Sequence, residues 1–244
     1  MQSRSTHFNS NIDLEKRIIF ALDIADSRQA KLWVRTLQEK IKFFKVGWEL
    51  FLDAGFDIVF WIAEQGCEVM LDLKLFDVPR TVQQAMTQLQ DKPVSLTTVH
   101  GNSAILRAAK QAGAPAGILA VTVLTSLDEQ DLTEMGLTCN PQDLVLHRAV
   151  RALETDCAGV VCSGQELSLL RNRLGSDFLT VVPGVRAQAE QGQDDQKRTI
   201  NVQQAFSQGA DHVVLGRPLR EARDPLLLAT QLQNDIHKQL LKNY

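Results

Sequence analysis

The chain has 244 residues, of which 44% are hydrophobic and 23% charged, as in an ordinary soluble globular protein. Its 26 Lys and Arg are outnumbered by 29 Asp and Glu, and the net charge of −3 excludes the strong basic field that holds nucleic acid or an anionic membrane. Any phosphate must therefore be bound by a few individually placed cations.

The N-terminal residues 1–16 are polar and lack the apolar segment of a signal peptide. No run in the chain approaches the roughly eighteen apolar residues of a membrane span. We therefore expect a cytoplasmic protein with an N-terminal extension over residues 1–16 and one catalytic domain over residues 17–244.

Short apolar, β-branched runs then alternate with segments that have helical spacing. The predicted strands are Arg17–Leu22, Phe43–Val46, Val69–Leu73, Leu96–Val99, Ile118–Val123, Gly159–Val161, Leu179–Val182 and His212–Leu215. The predicted helices include Ala30–Glu39, Thr81–Gln90, Ser103–Gln111, Asp143–Leu153, Glu166–Leu174, Val202–Ser207 and Pro225–Leu241.

This alternation predicts an α/β fold, and the continuously apolar strands favour a parallel sheet covered by helices. Eight repeats are typical of a single-domain (β/α)8 TIM barrel. The alternative is a doubly wound open sheet. That fold would need a glycine-rich fingerprint after the first strand, where residues 22–26 read LDIAD.

Polar residues follow the predicted strands at their carboxyl ends, where TIM barrels carry their active sites. The third strand is the most informative, because Asp72 and Lys74 are two residues apart and so point to the same, inward face. Buried charges must neutralise one another. Lys45 and Asp77 can extend the pair into an alternating Lys–Asp array. A purely structural ion-pair network is the alternative, but charges gathered from two strands at this end favour a functional site.

Gly216 and Arg217 follow the last strand, where TIM barrels often bind phosphate. The polar segment Arg186–Thr199 has the length of a functional lid, although a solvated loop fits its composition equally well. We expect no metal site. The cysteines form no CxxC pair, and Lys74 would compete with a cation for the neighbouring carboxylates.

From Ile18 to about Pro225 the chain resembles the orotidine 5'-phosphate decarboxylase family. The resemblance rests on these motifs, in order: FALD with Asp23, FFKVG with Lys45, LDLKLFDVPRT over Leu71–Thr81, VTVLTS over Val121–Ser126, VVPGVR ending in Arg186, DDQKR with Gln196, and LGRP with Gly216 and Arg217. The chain departs from the family pattern at Val78, where isoleucine is usual, and in the spacing before Gln196.

The resemblance implies decarboxylation of orotidine 5'-phosphate to UMP, the last step of de novo pyrimidine synthesis, without metal or organic cofactor. It implies a charged catalytic array in which Lys74 protonates ring carbon C6, formed by Lys45, Asp72, Lys74 and Asp77. Asp23 and Lys45 would hold the ribose, Asp72 would face the substrate carboxylate, and Thr125 and Ser126 would lie at the pyrimidine. Arg186, Gln196, Gly216 and Arg217 would serve the phosphate. Asp77 and Thr81 would reach in from the second subunit of a homodimer.

Two other readings stay open at this point. Sugar-phosphate decarboxylases similar to 3-keto-L-gulonate 6-phosphate decarboxylase share the DxKxxD core but use Mg²⁺. Their second Asp is typically followed by Ala-Gly, whereas Asp77 precedes Val-Pro-Arg-Thr. A catalytically silent nucleotide-binding barrel is the other reading, and it predicts loss of Lys74 or Asp77, both of which are present.

Overall fold

A computed structural model describes residues 11–186 and 200–242. Eight parallel strands close into a barrel, and two short strands form a separate small sheet. The barrel strands are β1 (Ile18–Ala21), β2 (Phe43–Gly47), β3 (Glu68–Leu75), β4 (Leu96–His100), β5 (Gly117–Val121), β6 (Gly159–Val161), β7 (Leu179–Val182) and β10 (His212–Leu215). The small sheet pairs β8 (Val185–Arg186) with β9 (Ile200–Asn201).

Helices connect the strands and cover the barrel, which confirms the predicted (β/α)8 architecture. They are α1 (Ser27–Leu37), α2 (Trp48–Glu64), α3 (Pro79–Thr87), α4 (Ser103–Gln111), α5 (Glu129–Glu134), α6 (Pro141–Glu154), α7 (Leu167–Leu174), α8 (Val202–Ser207), α9 (Arg217–Arg220) and α10 (Pro225–Lys242). Single 3₁₀ turns lie at Leu14–Lys16 and Gly164–Glu166. None of the helices in the described ranges has the length and apolar character needed to cross a membrane.

Helix α2 is the long helix that the predicted segments do not include. Apolar side chains lie on its solvent side as well as on its buried side, since Trp48 is 51% and Leu52 is 77% exposed. With apolar residues on both sides, the sequence lacks the apolar spacing of three and four residues that predicts a helix. Gly55 adds a kink with a φ of 55°, which interrupts the pattern in the middle of the helix.

Alternation along the strands separates two apolar layers. Side chains such as Met70 and Leu119 fill the inside of the barrel. Leu71 and Leu73 belong to the larger layer between strands and helices, as the spacing of the third strand predicts. This outward packing of the leucines leaves Asp72 on the inner face.

The described part of the N-terminal extension is attached to the amino end of the barrel. The backbone N–H of Lys42 donates to the carbonyl of Glu15 over 2.8 Å, and Nδ1 of His212 lies 2.9 Å from the carbonyl oxygen of Lys16. Residues 1–10 lie outside the described residues.

A buried ionic cluster closes the same end of the barrel. Arg171 of α7 donates from Nη2 to Asp211 Oδ2 over 2.7 Å and to Thr180 Oγ1 over 2.9 Å. Its other nitrogens donate to the carbonyls of Gly209 and Phe178. Asp211 is fully buried, and its charge is compensated by Arg171 at 2.7 Å and by the buried Arg17, whose Nη1 lies 3.8 Å from Asp211 Oδ1.

We expect Arg171→Ala to lower the free energy of unfolding by about 3–5 kcal/mol, because Asp211 would lose the nearer of its two arginine partners and two buried carbonyls would lose their donor. The matched control is Arg173→Ala, two residues further along the same helix, where the side chain is exposed. The control should change stability by about 0.5 kcal/mol or less in urea denaturation. Equal losses in the two variants would contradict the role given to the buried cluster.

Candidate active site

A cavity of about 290 Å³ opens at the carboxyl end of the barrel, close to the lower limit of ligand pockets. Most strands contribute to its wall through the residues at or just beyond their ends. The predicted site residues that line it are Asp23, Lys45, Asp72, Lys74, Thr125, Arg186, Gly216 and Arg217. These residues come from the ends of six strands. They meet at the carboxyl end of the barrel, where TIM barrels carry their active sites.

The wall formed by β1, β2 and β3 carries a continuous chain of opposite charges. Lys45 Nζ donates to Asp23 Oδ1 over 2.8 Å and lies 3.4 Å from Asp72 Oδ2. Lys74 Nζ donates to the same Asp72 oxygen over 2.8 Å. One oxygen of the Asp72 carboxylate therefore lies within ion-pair distance of two ammonium groups. The order of the array is Asp23, Lys45, Asp72, Lys74.

The surroundings of Asp72 and Lys45 favour the ionised forms of both side chains. Burial alone would raise the pKa of Asp72, but the charges of Lys45 and Lys74 outweigh burial and hold that pKa below its usual value. Burial alone would likewise lower the pKa of Lys45, and its two carboxylate neighbours raise it instead. The side chain of Lys74 is 35% exposed, and it lines the cavity. It is therefore the cation of this array that a ligand can reach most readily.

The backbone of β3 is irregular at Lys74. Lys74 has a φ of 46°, in the left-handed region that residues other than glycine rarely adopt. The pairing of β3 with β4 shifts register over the same stretch. Bulges of this kind redirect a side chain near active sites, and here the bulge lies directly at the lysine that faces the cavity.

Three arginines line the cavity beside the wall formed by β1, β2 and β3, on the side of β7 and β10, and β10 pairs directly with β1. Arg186 belongs to β8, while Arg217 and Arg220 lie in the short helix α9 that follows Gly216. The guanidinium of Arg220 donates to the carbonyl oxygen of Asp23. The sequence analysis missed Arg220, although its spacing of three from Arg217 places both on one face if the segment is helical.

Three of the predicted site residues do not line the cavity of the described chain, and a fourth cannot be placed. Asp77 is exposed, and its carboxylate accepts the backbone N–H of Val78 over 2.6 Å. Thr81 of α3 and Ser126 are also exposed and do not line the cavity. Gln196 lies outside the described residues. Within one chain, Asp23 rather than Asp77 provides the second carboxylate of the array.

No group of three or more His, Cys, Asp or Glu side chains suited to a metal ion occurs in the part of the chain that the structure describes. His100 lies half-buried at the rim, with its ring centroid 4.7 Å from that of Phe76. Burial, together with the charges of Arg148 and Lys74, lowers the pKa of His100, which keeps its imidazole neutral at neutral pH.

A (β/α)8 barrel whose cavity is lined by a Lys–Asp array and by three arginines at the carboxyl ends of its strands is typical of an enzyme that acts on an anionic substrate. The family model of the orotidine 5'-phosphate decarboxylase / HUMPS family matches residues 16–231, and the chain belongs to that family.

Two curated relatives are named orotidine 5'-phosphate decarboxylase. The protein from Methylococcus capsulatus is 46% identical over 93% of this chain and 95% of its own. The protein from Xanthomonas euvesicatoria is 42% identical over the same shares. The crystal structure of orotidine 5'-phosphate decarboxylase from Lactobacillus acidophilus matches with a TM-score of 0.80 and 30% identity, over 91% of this chain and 99% of that one.

We expect Asp72→Asn to lower the pKa of Lys45, because burial would then be opposed by Asp23 alone. The ¹³Cε resonances of labelled lysines, followed through an alkaline titration, measure this shift. Asp57→Asn changes an exposed carboxylate on α2 and should leave the Lys45 titration unaltered. An unchanged Lys45 pKa in Asp72→Asn would refute the electrostatic account of the array.

Proposed function

We propose that Lys74 is the acid that completes the reaction of this enzyme. The chain decarboxylates orotidine 5'-phosphate to UMP in pyrimidine biosynthesis, the activity for which its family and its curated relatives are named. The observation that supports the role of Lys74 is its ammonium group, held 2.8 Å from Asp72 at the edge of the cavity.

The chemistry requires a fixed positive charge. When the bond between C6 and the carboxyl carbon breaks, its electron pair stays on C6 and carbon dioxide leaves. An ammonium group held nearby stabilises this charge as it develops, and in a site with little water the effect is large. Lys74 then transfers a proton from Nζ to C6 and regains one from solvent. Asp72 holds the Lys74 ammonium group by a hydrogen bond and faces the substrate carboxylate in this proposal.

The remaining contacts follow from the positions of charge around the cavity. We assign the ribose hydroxyls to Asp23 and Lys45, which form a close pair on the β1–β2 wall. We assign the phosphate to the arginine side, with Arg186, Gly216, Arg217 and Gln196. The pyrimidine would lie against the end of β5, where Thr125 is buried in the cavity wall and Ser126 follows it.

We further propose that the enzyme is a homodimer with shared active sites. Asp77 and Thr81 are exposed in the single chain, and two large apolar side chains flank Asp77: Phe76 is 64% and Val78 is 63% exposed. Exposed apolar side chains of this size beside a site are typical of a surface that another chain covers. A second copy seated there would bring its Asp77 and Thr81 to the neighbouring cavity. The cytoplasmic location also stays a prediction.

Lys74→Ala should reduce kcat by about three orders of magnitude, because both electrostatic stabilisation and proton delivery are lost. The loss of orotidine 5'-phosphate absorbance in the presence of EDTA measures the rate. Lys238→Ala, on the exposed face of α10, is the control and should be fully active. A Lys74→Ala variant with a tenth of the normal rate would overturn the assignment. A normal enzyme that loses its rate in EDTA and recovers it with Mg²⁺ would instead indicate the metal-dependent sugar-phosphate branch.

The shared site is tested by mixing two inactive variants. Lys74→Ala and Asp77→Ala homodimers should each be nearly inactive. In a mixed dimer, one site lacks both residues and the other has both. Random pairing makes about half of the dimers mixed, so co-refolding should restore about a quarter of the normal activity. If demonstrated mixed dimers stay as inactive as their parents, Asp77 acts within its own chain.

A further inference from the structure

We propose that Thr98 of β4 is the positioning residue that holds Lys74 in its reactive place. The inference rests on the proposed role of Lys74 as the acid. Thr98 is fully buried and is not part of the cavity wall. It can therefore act only through the residues that it contacts, Asp72 and Lys74.

The register of the two strands places Thr98 opposite the irregular stretch of β3. Leu71 pairs with Thr97, and the next pair is Leu75 with Val99. Asp72, Leu73 and Lys74 therefore face a single residue of β4. One residue of β4 cannot form regular backbone hydrogen bonds with three residues of β3. A side chain must therefore supply some of the missing hydrogen bonds.

The hydroxyl of Thr98 does this with both of its hydrogen-bonding functions. It donates to Asp72 Oδ1 over 2.9 Å, and it accepts the backbone N–H of Lys74 over 2.9 Å. A threonine hydroxyl offers one donor and two acceptor sites, so these two bonds use its single proton and one lone pair. One oxygen atom thus holds the carboxylate of Asp72 and the backbone of Lys74, the two residues of the ion pair.

This arrangement matters because the backbone of Lys74 is strained. A left-handed φ of 46° at a lysine persists only where surrounding contacts hold it. The bond from its N–H to Thr98 is one such contact, and the bond to Asp72 leaves that carboxylate's other oxygen, Oδ2, facing Lys45 and Lys74. Without the hydroxyl, the bulge can relax and the ammonium group moves away from C6. Groups assigned to the phosphate and ribose would stay in place.

The neighbouring residue offers a matched control. Thr97 is also buried on β4, but it points to the outer layer, and its hydroxyl donates to the carbonyl of Leu71 over 3.1 Å. Thr97→Val and Thr98→Val remove the same atom from adjacent positions of one strand. The two hydroxyls differ in what they hold, so a general loss of strand stability should affect both variants alike.

The experiment measures kcat, KM, UMP affinity and the thermal midpoint for Thr98→Val, Thr98→Ser and Thr97→Val, with Lys74→Ala alongside. We expect Thr98→Val to lower kcat by about ten- to a hundredfold, the loss that follows from removing a hydrogen bond to a charged group. KM and UMP affinity should change by less than about threefold, since substrate binding uses other residues. Thr98→Ser should recover most of the rate, and Thr97→Val should keep it.

Three results would overturn the proposal: a normal kcat in Thr98→Val, a Thr98→Ser variant as slow as Thr98→Val, or an equal loss of kcat in Thr97→Val. If Thr98→Val does not fold, Thr98→Ala and Thr98→Ser make the same comparison, since they differ by one oxygen atom. An active Lys74→Ala would refute the role of Lys74 itself. An inactive Lys74→Ala beside a fully active Thr98→Val refutes only the role of Thr98.

Discussion

The site depends on one carboxylate that serves two lysines. Asp72 Oδ2 lies 2.8 Å from the Nζ of Lys74 and 3.4 Å from that of Lys45. An ammonium group at the cavity edge and a second one below it would repel each other without the negative charge between them. Asp23 then balances Lys45, the more buried of the two lysines. Because the charges nearly cancel within the array, it can be buried in an apolar barrel and still present a cation to the substrate.

The amino end of the barrel carries a buried cluster that stabilises the fold, and the carboxyl end carries the candidate active site. At the amino end, Arg171 and Asp211 form a closed cluster whose bonds all run to protein groups. At the carboxyl end, Lys74 is partly exposed, and its backbone adopts a φ that a lysine rarely takes. Stored strain and accessible charge therefore occur together where a ligand binds, and they are absent from the buried cluster that holds the strands in place.

Much of the fold and part of the site can be predicted from the sequence, because both depend on periodic patterns. Each barrel strand gives an apolar run, and a spacing of two places Asp72 and Lys74 on one face. The bulge at Lys74 depends on how many residues of β4 lie opposite, which a pattern within one strand does not contain. The partnership of Asp23 with Lys45 also needs the register between β1 and β2. Helix α2 is not predicted from the sequence because its apolar residues do not lie on a single face of the helix.

The bond from Arg220 to the carbonyl of Asp23 joins α9 to the charged wall beside it. Arg220 is the last residue of α9, which begins at Arg217, and Asp23 is the outer carboxylate of the array. Force applied to α9 is therefore transmitted along one helix turn and one hydrogen bond to the partner of Lys45. A displacement of α9 is thereby coupled to the backbone at Asp23, so a ligand that contacts α9 also restrains the segment that follows β1.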